Sequence, residues 1–194
     1  MSKAERVFHN IYLNRLWNPV GTRSGTGSTV EATAEIREML PSVVEWLGIR
    51  SVLDAACGEA LWVPDLPGYI GCDIVPEAIE TARSRYPDRE YFVADIQTDE
   101  LPKVDAVLCR DVLMHLPVED GVVVLENLRR TGAQYLFATT FTDGTNARGI
   151  EMGEFYLINL AKPPFELREV AAVDSIPDTW KWPDKRLGVY ECQF

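Results

Sequence analysis

Four short apolar runs between residues 51 and 111 each close on an aspartate. S-V-L-D ends at Asp54, Y-I-G-C-D at Asp73, E-Y-F-V-A-D at Asp95 and D-A-V-L-C-R-D at Asp111. Runs of this length, rich in β-branched and aromatic residues, read as strands. Helical stretches alternate with them: E-A-I-E-T-A-R-S-R-Y at 77–86, and E-D-G-V-V-V-L-E-N-L-R-R at 119–130, where Val123, Leu125 and Leu128 share one side. A fifth strand, Q-Y-L-F-A-T-T-F, follows at 134–141. Alternation of this kind from residue 50 to 141 predicts an α/β fold, a mostly parallel sheet with helices on both faces.

The ends of the chain read differently. Residues 3–17 suit an amphipathic helix through Val7, Ile11, Leu13 and Leu16, and residues 30–47 suit a second, stopped at Gly48. Between them, from residue 19 to 29, lies a polar Gly-rich loop containing S-G-T-G-S-T. Residues 142–164 read as an irregular or helical insertion. Two late strands, 165–173 and 186–194, lack a crossover helix and predict an antiparallel hairpin at the sheet edge. With 194 residues, the chain suits one domain with a real core.

Open parallel sheets bind ligands beyond the carboxyl ends of their strands. All four aspartates belong there. Asp73 lies at the tip of the second strand, where a carboxylate accepts bonds from both ribose hydroxyls. Asp95 is placed to accept from the exocyclic amine of an adenine, with the Ile96 N–H beside it and Ile74 offering an apolar face. For any one of them the alternative is a solvated or helix-capping acid. The first loop, L-D-A-A-C-G-E-A at 53–60, discriminates between cofactors. A dinucleotide loop is G-x-G-x-x-G and seats a pyrophosphate. Here Asp54 and Glu59 flank the turn, a poor cradle for phosphate that suits a cofactor with a positive centre.

At this point V-L-D-A-A-C-G, residues 52–58, resembles the V-L-D-x-G-C-G-x-G motif of the class I S-adenosylmethionine (SAM)-dependent methyltransferases. Asp73, the V-A-D-I segment and residues 105–116, D-A-V-L-C-R-D-V-L-M-H-L, are similar to that family's next three motifs, in order. The resemblance covers residues 50–141. It implies a seven-stranded, mostly parallel Rossmann-like sheet with helices on both faces and a C-terminal antiparallel hairpin strand. It also implies SAM as cofactor and S-adenosylhomocysteine (SAH) as product; no metal is expected, since the cysteines and the two histidines, His9 and His115, lack the spacing of a zinc site. Ala56 and Ala60 stand where the family has glycines, and the segment from Gly58 to Tyr69 leaves room for only a turn or two of helix. The resemblance assigns Asp54, Ala55, Ala56, Cys57 and Gly58 to the methionine turn, Asp73 and Ile74 to the ribose, and Asp95 and Ile96 to the adenine. The carbonyls of Cys109 or Arg110 would meet the methionine amine, and Trp17 would reach the cofactor from the N-terminal segment.

Methyl transfer asks the protein to align a nucleophile and, where needed, to remove its proton. The catalytic candidates are Arg110, Asp111 and His115. His115 is the natural base, its pKa lying near neutrality, unless it caps the loop before Pro117. Arg110 and Asp111 are either an internal ion pair or a substrate contact. Tyr12, Asn146, Glu154 and Tyr156 are the substrate-binding candidates, although Tyr156 lies in an apolar run that also suits a core.

A net charge of −11 without a basic stretch disfavours nucleic acid as a partner and favours a small-molecule acceptor. Arg83, Arg85, Arg129 and Arg130 fall at helix ends, where cations complement the dipole. The four cysteines form no C-x-x-C pair and read as buried thiols, Cys57 also lining the site. No apolar run is long enough to span a membrane, and no apolar stretch follows the first charges, so a cytoplasmic location is expected. Two other readings of the function remain: a SAM-binding partner subunit without its own catalysis, and a nucleotide-dependent oxidoreductase on a similar sheet. The S-G-T-G-S-T loop is either a connector or the hinge of a lid that carries the first helix over the site.

Overall fold

A computed structural model describes residues 1–18, 20–146 and 149–192. Pro19 of the Gly-rich loop, Ala147 and Arg148 of the insertion, and Gln193 and Phe194 of the second late strand lie outside the described residues. Seven strands form one sheet: β1 (Val52–Ala55), β2 (Tyr69–Asp73), β3 (Glu90–Val93), β4 (Ala106–Cys109), β5 (Tyr135–Phe141), β6 (Ile176–Pro177) and β7 (Lys185–Glu191). Their order is β3-β2-β1-β4-β5-β7-β6. The first five are parallel; β7 runs antiparallel to β5 over seven residue pairs and to β6 over two. The expected α/β sheet and its antiparallel edge are both present.

Side-chain alternation along the strands supplies two cores. Leu53, Ala55, Val107 and Cys109 face one side, where α4 (Val118–Arg129) buries Val124, Leu125 and Leu128. Val52, Ala106 and Leu108 face the other, against α2 (Ala34–Trp46) through Ile36, Leu40 and Val44 and α3 (Pro76–Arg85) through Ile79 and Ala82. The sheet is therefore buried on both faces, as a parallel sheet requires.

Several boundaries differ from the sequence reading. The first helix, α1, spans Lys3–Leu13 and stops there because Asn14 leaves helical geometry and Arg15 takes a φ of 53°. Trp17 thus sits in the bend after the helix rather than on it. The second helix begins at Ala34, four residues later than expected; its Pro41 is tolerated within it. No helix follows β1: residues 56–68 are turns and coil. Glu59 consequently caps nothing. The 165–173 segment is not a strand. Only a single bridge, Glu169 to Tyr190, forms there, and Ile176–Pro177 takes the pairing edge of β7 instead. The described part of the 142–164 insertion contains no helix.

Candidate active site

The strand tips β1 to β4 open into a cavity of about 390 Å³, within the range of small-molecule sites. Its floor comes from the loop after β1 (Asp54, Ala56, Cys57, Gly58) and from Asp73, Ile74, Asp95 and Ile96. α1 and the Gly-rich loop form the roof through Phe8, Tyr12, Trp17 and residues 23–28. The far wall is made by Trp62, Arg110, Asp111, His115, Phe155 and the C-terminal segment at 178–185.

The loop after β1 is held by backbone bonds. Cys57 N–H donates to the Cys72 carbonyl at 2.8 Å, and Gly58 N–H donates to Asp73 Oδ2 at 2.9 Å. Val75 N–H reaches Asp73 Oδ1, also at 2.9 Å. Each Asp73 oxygen keeps a free lone pair for a ligand hydroxyl. Burial raises the Asp73 pKa, against the pull of these N–H bonds. Asp54 is more strongly affected. It is 3% exposed, takes the Tyr69 hydroxyl at 2.8 Å, and burial with the nearby Asp73 charge pushes its pKa up to about 7. A buried acid next to a second acid is a place where a cationic ligand gains most.

The two glycine-bearing loops meet directly. Glu59 N–H donates to Ser24 Oγ at 3.2 Å, and Arg23 N–H donates to Glu59 Oε1 at the same distance. The Tyr12 hydroxyl donates to the same carboxylate oxygen at 3.1 Å. Glu59 therefore anchors the roof and does not line the cavity. At the other end of α1, the N-cap Ser2 hydroxyl donates to Asp95 Oδ2 at 3.0 Å, and His9 Nε2 pairs with Glu77 at 2.9 Å.

Arg110 is consumed inside the protein. Its Nε and Nη2 grip Asp178 at 3.1 and 2.9 Å, Nη1 donates to the Gly27 carbonyl at 3.0 Å, and the guanidinium stands 5.1 Å over the Trp62 ring. Burial favours loss of its proton, but Asp111 and Asp178 outweigh that and keep it charged. Asp111 bridges Arg110, Lys185 and the Thr139 hydroxyl, the last two at 2.8 and 2.9 Å. Burial opposes its ionisation, yet Arg110 and Lys185 hold its pKa well below the usual carboxylate range. So these two catalytic candidates form a closed ion-pair network with Asp178 and Lys185, leaving neither an available base nor an open anion fork. The alternative of an internal ion pair is the one the geometry realises.

His115 differs. Its Nδ1 lies 2.8 Å from the Glu154 carbonyl oxygen. A carbonyl only accepts, so Nδ1 carries the proton and Nε2 keeps its lone pair. Burial lowers the His115 pKa, so the ring is neutral at pH 7. Glu154 thus acts through its carbonyl; its carboxylate accepts from the Glu151 N–H. The other substrate candidates of the insertion are also placed elsewhere. Asn146 is spent on the insertion itself, bonding Asn159 in both directions and the Pro163 carbonyl. Tyr156 is buried in the α4-side core. Ala55 and Cys109 likewise face that core rather than the cavity. Tyr12, Trp17 and Cys57 do line it. All four cysteines are free and buried.

Residues 52–133 match the family model of a methyltransferase domain. Over that stretch the chain reads as a methyltransferase domain. Magnesium protoporphyrin IX methyltransferase from Synechocystis PCC 6803, solved with bound SAM, superposes with a TM-score of 0.65 at 16% identity over 98% of each chain. The methyltransferase domain of a bacterial Hen1 gives 0.57 at 16% identity, covering 82% of this chain and 98% of its own. A Pyrococcus horikoshii OT3 protein gives 0.55 at 17%, covering 98% and 99%. At these identities the likeness shows the fold. No curated protein matches the chain by sequence. No helix among the described residues is long and apolar enough to cross a membrane.

Sequence reasoning missed Asp178, Lys185, Trp180 and Trp182. They follow the insertion, in a segment without periodicity, and nothing local marks them as neighbours of Arg110 or His115.

Proposed function

We propose that this methyltransferase moves the methyl group of SAM to an oxygen or nitrogen of a small-molecule acceptor. The cavity carries the reading: carboxylates on the cofactor side, no phosphate-binding loop, and one uncommitted base. SAM supplies a sulfonium methyl that is already electrophilic. Asp73 takes the ribose hydroxyls on its remaining lone pairs. Asp95 and Ile96 take the adenine, between the apolar Ile74 and the roof. Asp54 offsets the positive charge of the methionine end while Ala56, Cys57 and Gly58 pass it with their backbone. Arg110 contributes by fixing the Gly27 carbonyl and Trp62, which shapes the wall. His115 Nε2 accepts the acceptor's proton as the nucleophile takes the methyl group. The C–S bond breaks with its electron pair left on sulfur, and SAH results.

The small-molecule choice rests on enclosure and charge. A roofed cavity of about 390 Å³ admits a compact acceptor, and a chain of net charge −11 repels a polyanion. Calorimetric titration with SAM, SAH and NAD tests the cofactor half. Micromolar SAM and SAH binding without NAD binding is expected, with His115→Gln leaving both unchanged. SAH release from a panel of hydroxyl and amine acceptors tests the other half. Binding of NAD in preference to SAM would overturn the reading.

A further inference from the structure

A run of rings lines the cavity from its roof into its far wall. Trp17 stacks on His115 with centroids 4.5 Å apart and 30° between planes. His115 lies 6.0 Å from Phe155, and Phe155 stacks on Trp182 at 5.8 Å and 27°. All four line the cavity. Buried Phe141 backs the last two edge-on, at 6.1 Å from each, and fixes their orientation. Yet Phe155 and Trp182 stay 41% and 37% exposed, and Trp180 beside them is 51% exposed. Clustered apolar surface at the mouth of a cavity marks a ligand face. Between the two tryptophans, Lys181 lines the same mouth and makes no ion pair among the described residues.

Resting on the methyl-transfer reading above, we propose that the acceptor is a planar hydroxyaromatic carboxylate. Its ring lies against Phe155 and Trp182, its hydroxyl meets His115 Nε2, and its carboxylate reaches Lys181. Flat rings gain from offset stacking on such a wall, which a sugar or an aliphatic chain does not match. The base also selects. A phenol oxygen keeps a lone pair while still protonated, so attack and proton transfer to a neutral imidazole proceed together. An alkylammonium has no lone pair until fully deprotonated, and the Lys181 charge repels it. The hydroxyl proton ends on His115 and then in water; the oxygen gains the methyl group, and sulfur keeps the electron pair of the broken C–S bond.

The test starts with SAH binding by calorimetry, since its absence overturns the methyl-transfer reading itself. The SAH-loaded protein is then titrated with 6-hydroxy-2-naphthoate, followed by the probe's fluorescence. Saturable binding is expected, weakened about tenfold by Trp182→Leu and by Phe155→Leu, with SAH affinity unchanged. Both side chains are partly exposed, so thermal melts should show the variants folded. Lys181→Gln should weaken the naphthoate about fivefold and leave 2-naphthol unaffected. With SAM, the naphthoate should release SAH while a hexose and an alkylamine of similar size do not. Three results would sink the proposal: no saturable binding up to millimolar probe, affinities indifferent to all three substitutions, or turnover that prefers the hexose or the amine.

Discussion

Ala56 and Ala60 hold φ values of 64° and 50°, in the left-handed region where a β-carbon crowds the following carbonyl. These are the two positions where the family motif has glycine. Gly58, between them, has a φ of 57° and could not gain a β-carbon without striking the Ser24 side chain. The cofactor turn is thus the same turn, made with two strained alanines and one indispensable glycine. Ala56→Gly removes strain of about 1–2 kcal/mol, offset by about 0.5–1 kcal/mol of added unfolded-state entropy. A net gain of up to about 1.5 kcal/mol in urea denaturation is expected. Gly58→Ala should lose at least about 2 kcal/mol and loosen the roof, because both the φ and the Ser24 contact oppose it. A stabilised Gly58→Ala would show that the two loops are not in contact in solution.

At the scale of elements, α1 and the Gly-rich loop reach one strand-tip acid, Asp95, and the loops beside the others. Ser2 caps α1 and reaches Asp95; Tyr12 and Arg23 hold Glu59; the Gly27 carbonyl receives Arg110; Trp17 covers His115. These are mostly single polar bonds, each worth about 0.5–1.5 kcal/mol, of which Ser2–Asp95 is exposed and those to Glu59 and Arg110 are wholly or partly buried. A roof joined this way opens locally at low cost. We expect amide hydrogen exchange over residues 3–29 to slow at least tenfold when SAM binds, while α4 stays unchanged. Equal exchange with and without SAM would make the segment a fixed wall instead of a lid.

At the scale of the whole molecule, the sheet was legible because its signals are local. Each parallel strand is a short apolar run with its own acid, and the alternation with helices needs no long-range knowledge. Asp54, Asp73 and Asp95 were placed at the cavity for the same reason. What escaped was long-range. Asp178 meets Arg110 across 68 positions of sequence and Lys185 meets Asp111 across 74, and the 165–173 run, apolar enough for a strand, lost the β7 edge to Ile176–Pro177. The absence of a helix after β1 was also hidden, since only its shortness is written in the sequence.

The buried acids of that sheet give the whole molecule an unusual pH response. Asp54 titrates near 7 when folded, against about 4 when unfolded. Between those values the native state holds a proton that the unfolded state has lost. Its contribution is therefore fully present below about pH 4 and is lost as pH rises to 7, a fall on the order of 4 kcal/mol. Asp73, also raised, acts in the same direction. Asp111 acts oppositely: its depressed pKa gives stability above about pH 4 that is lost as pH falls below it. The sum predicts maximal stability well on the acid side of neutrality, near pH 4, and a decline from there to about pH 7. Chemical denaturation from pH 4 to 8 measures it. Asp54→Asn keeps an acceptor for the Tyr69 hydroxyl but carries no titration, so its slope between pH 5 and 7.5 should flatten and its stability at pH 7.5 should exceed that of the parent. SAM, a cation, should bind the parent more tightly as pH rises through 7, and Asp54→Asn should remove that dependence as well. A parent protein more stable at pH 7.5 than at pH 5 would rule out a buried, raised Asp54.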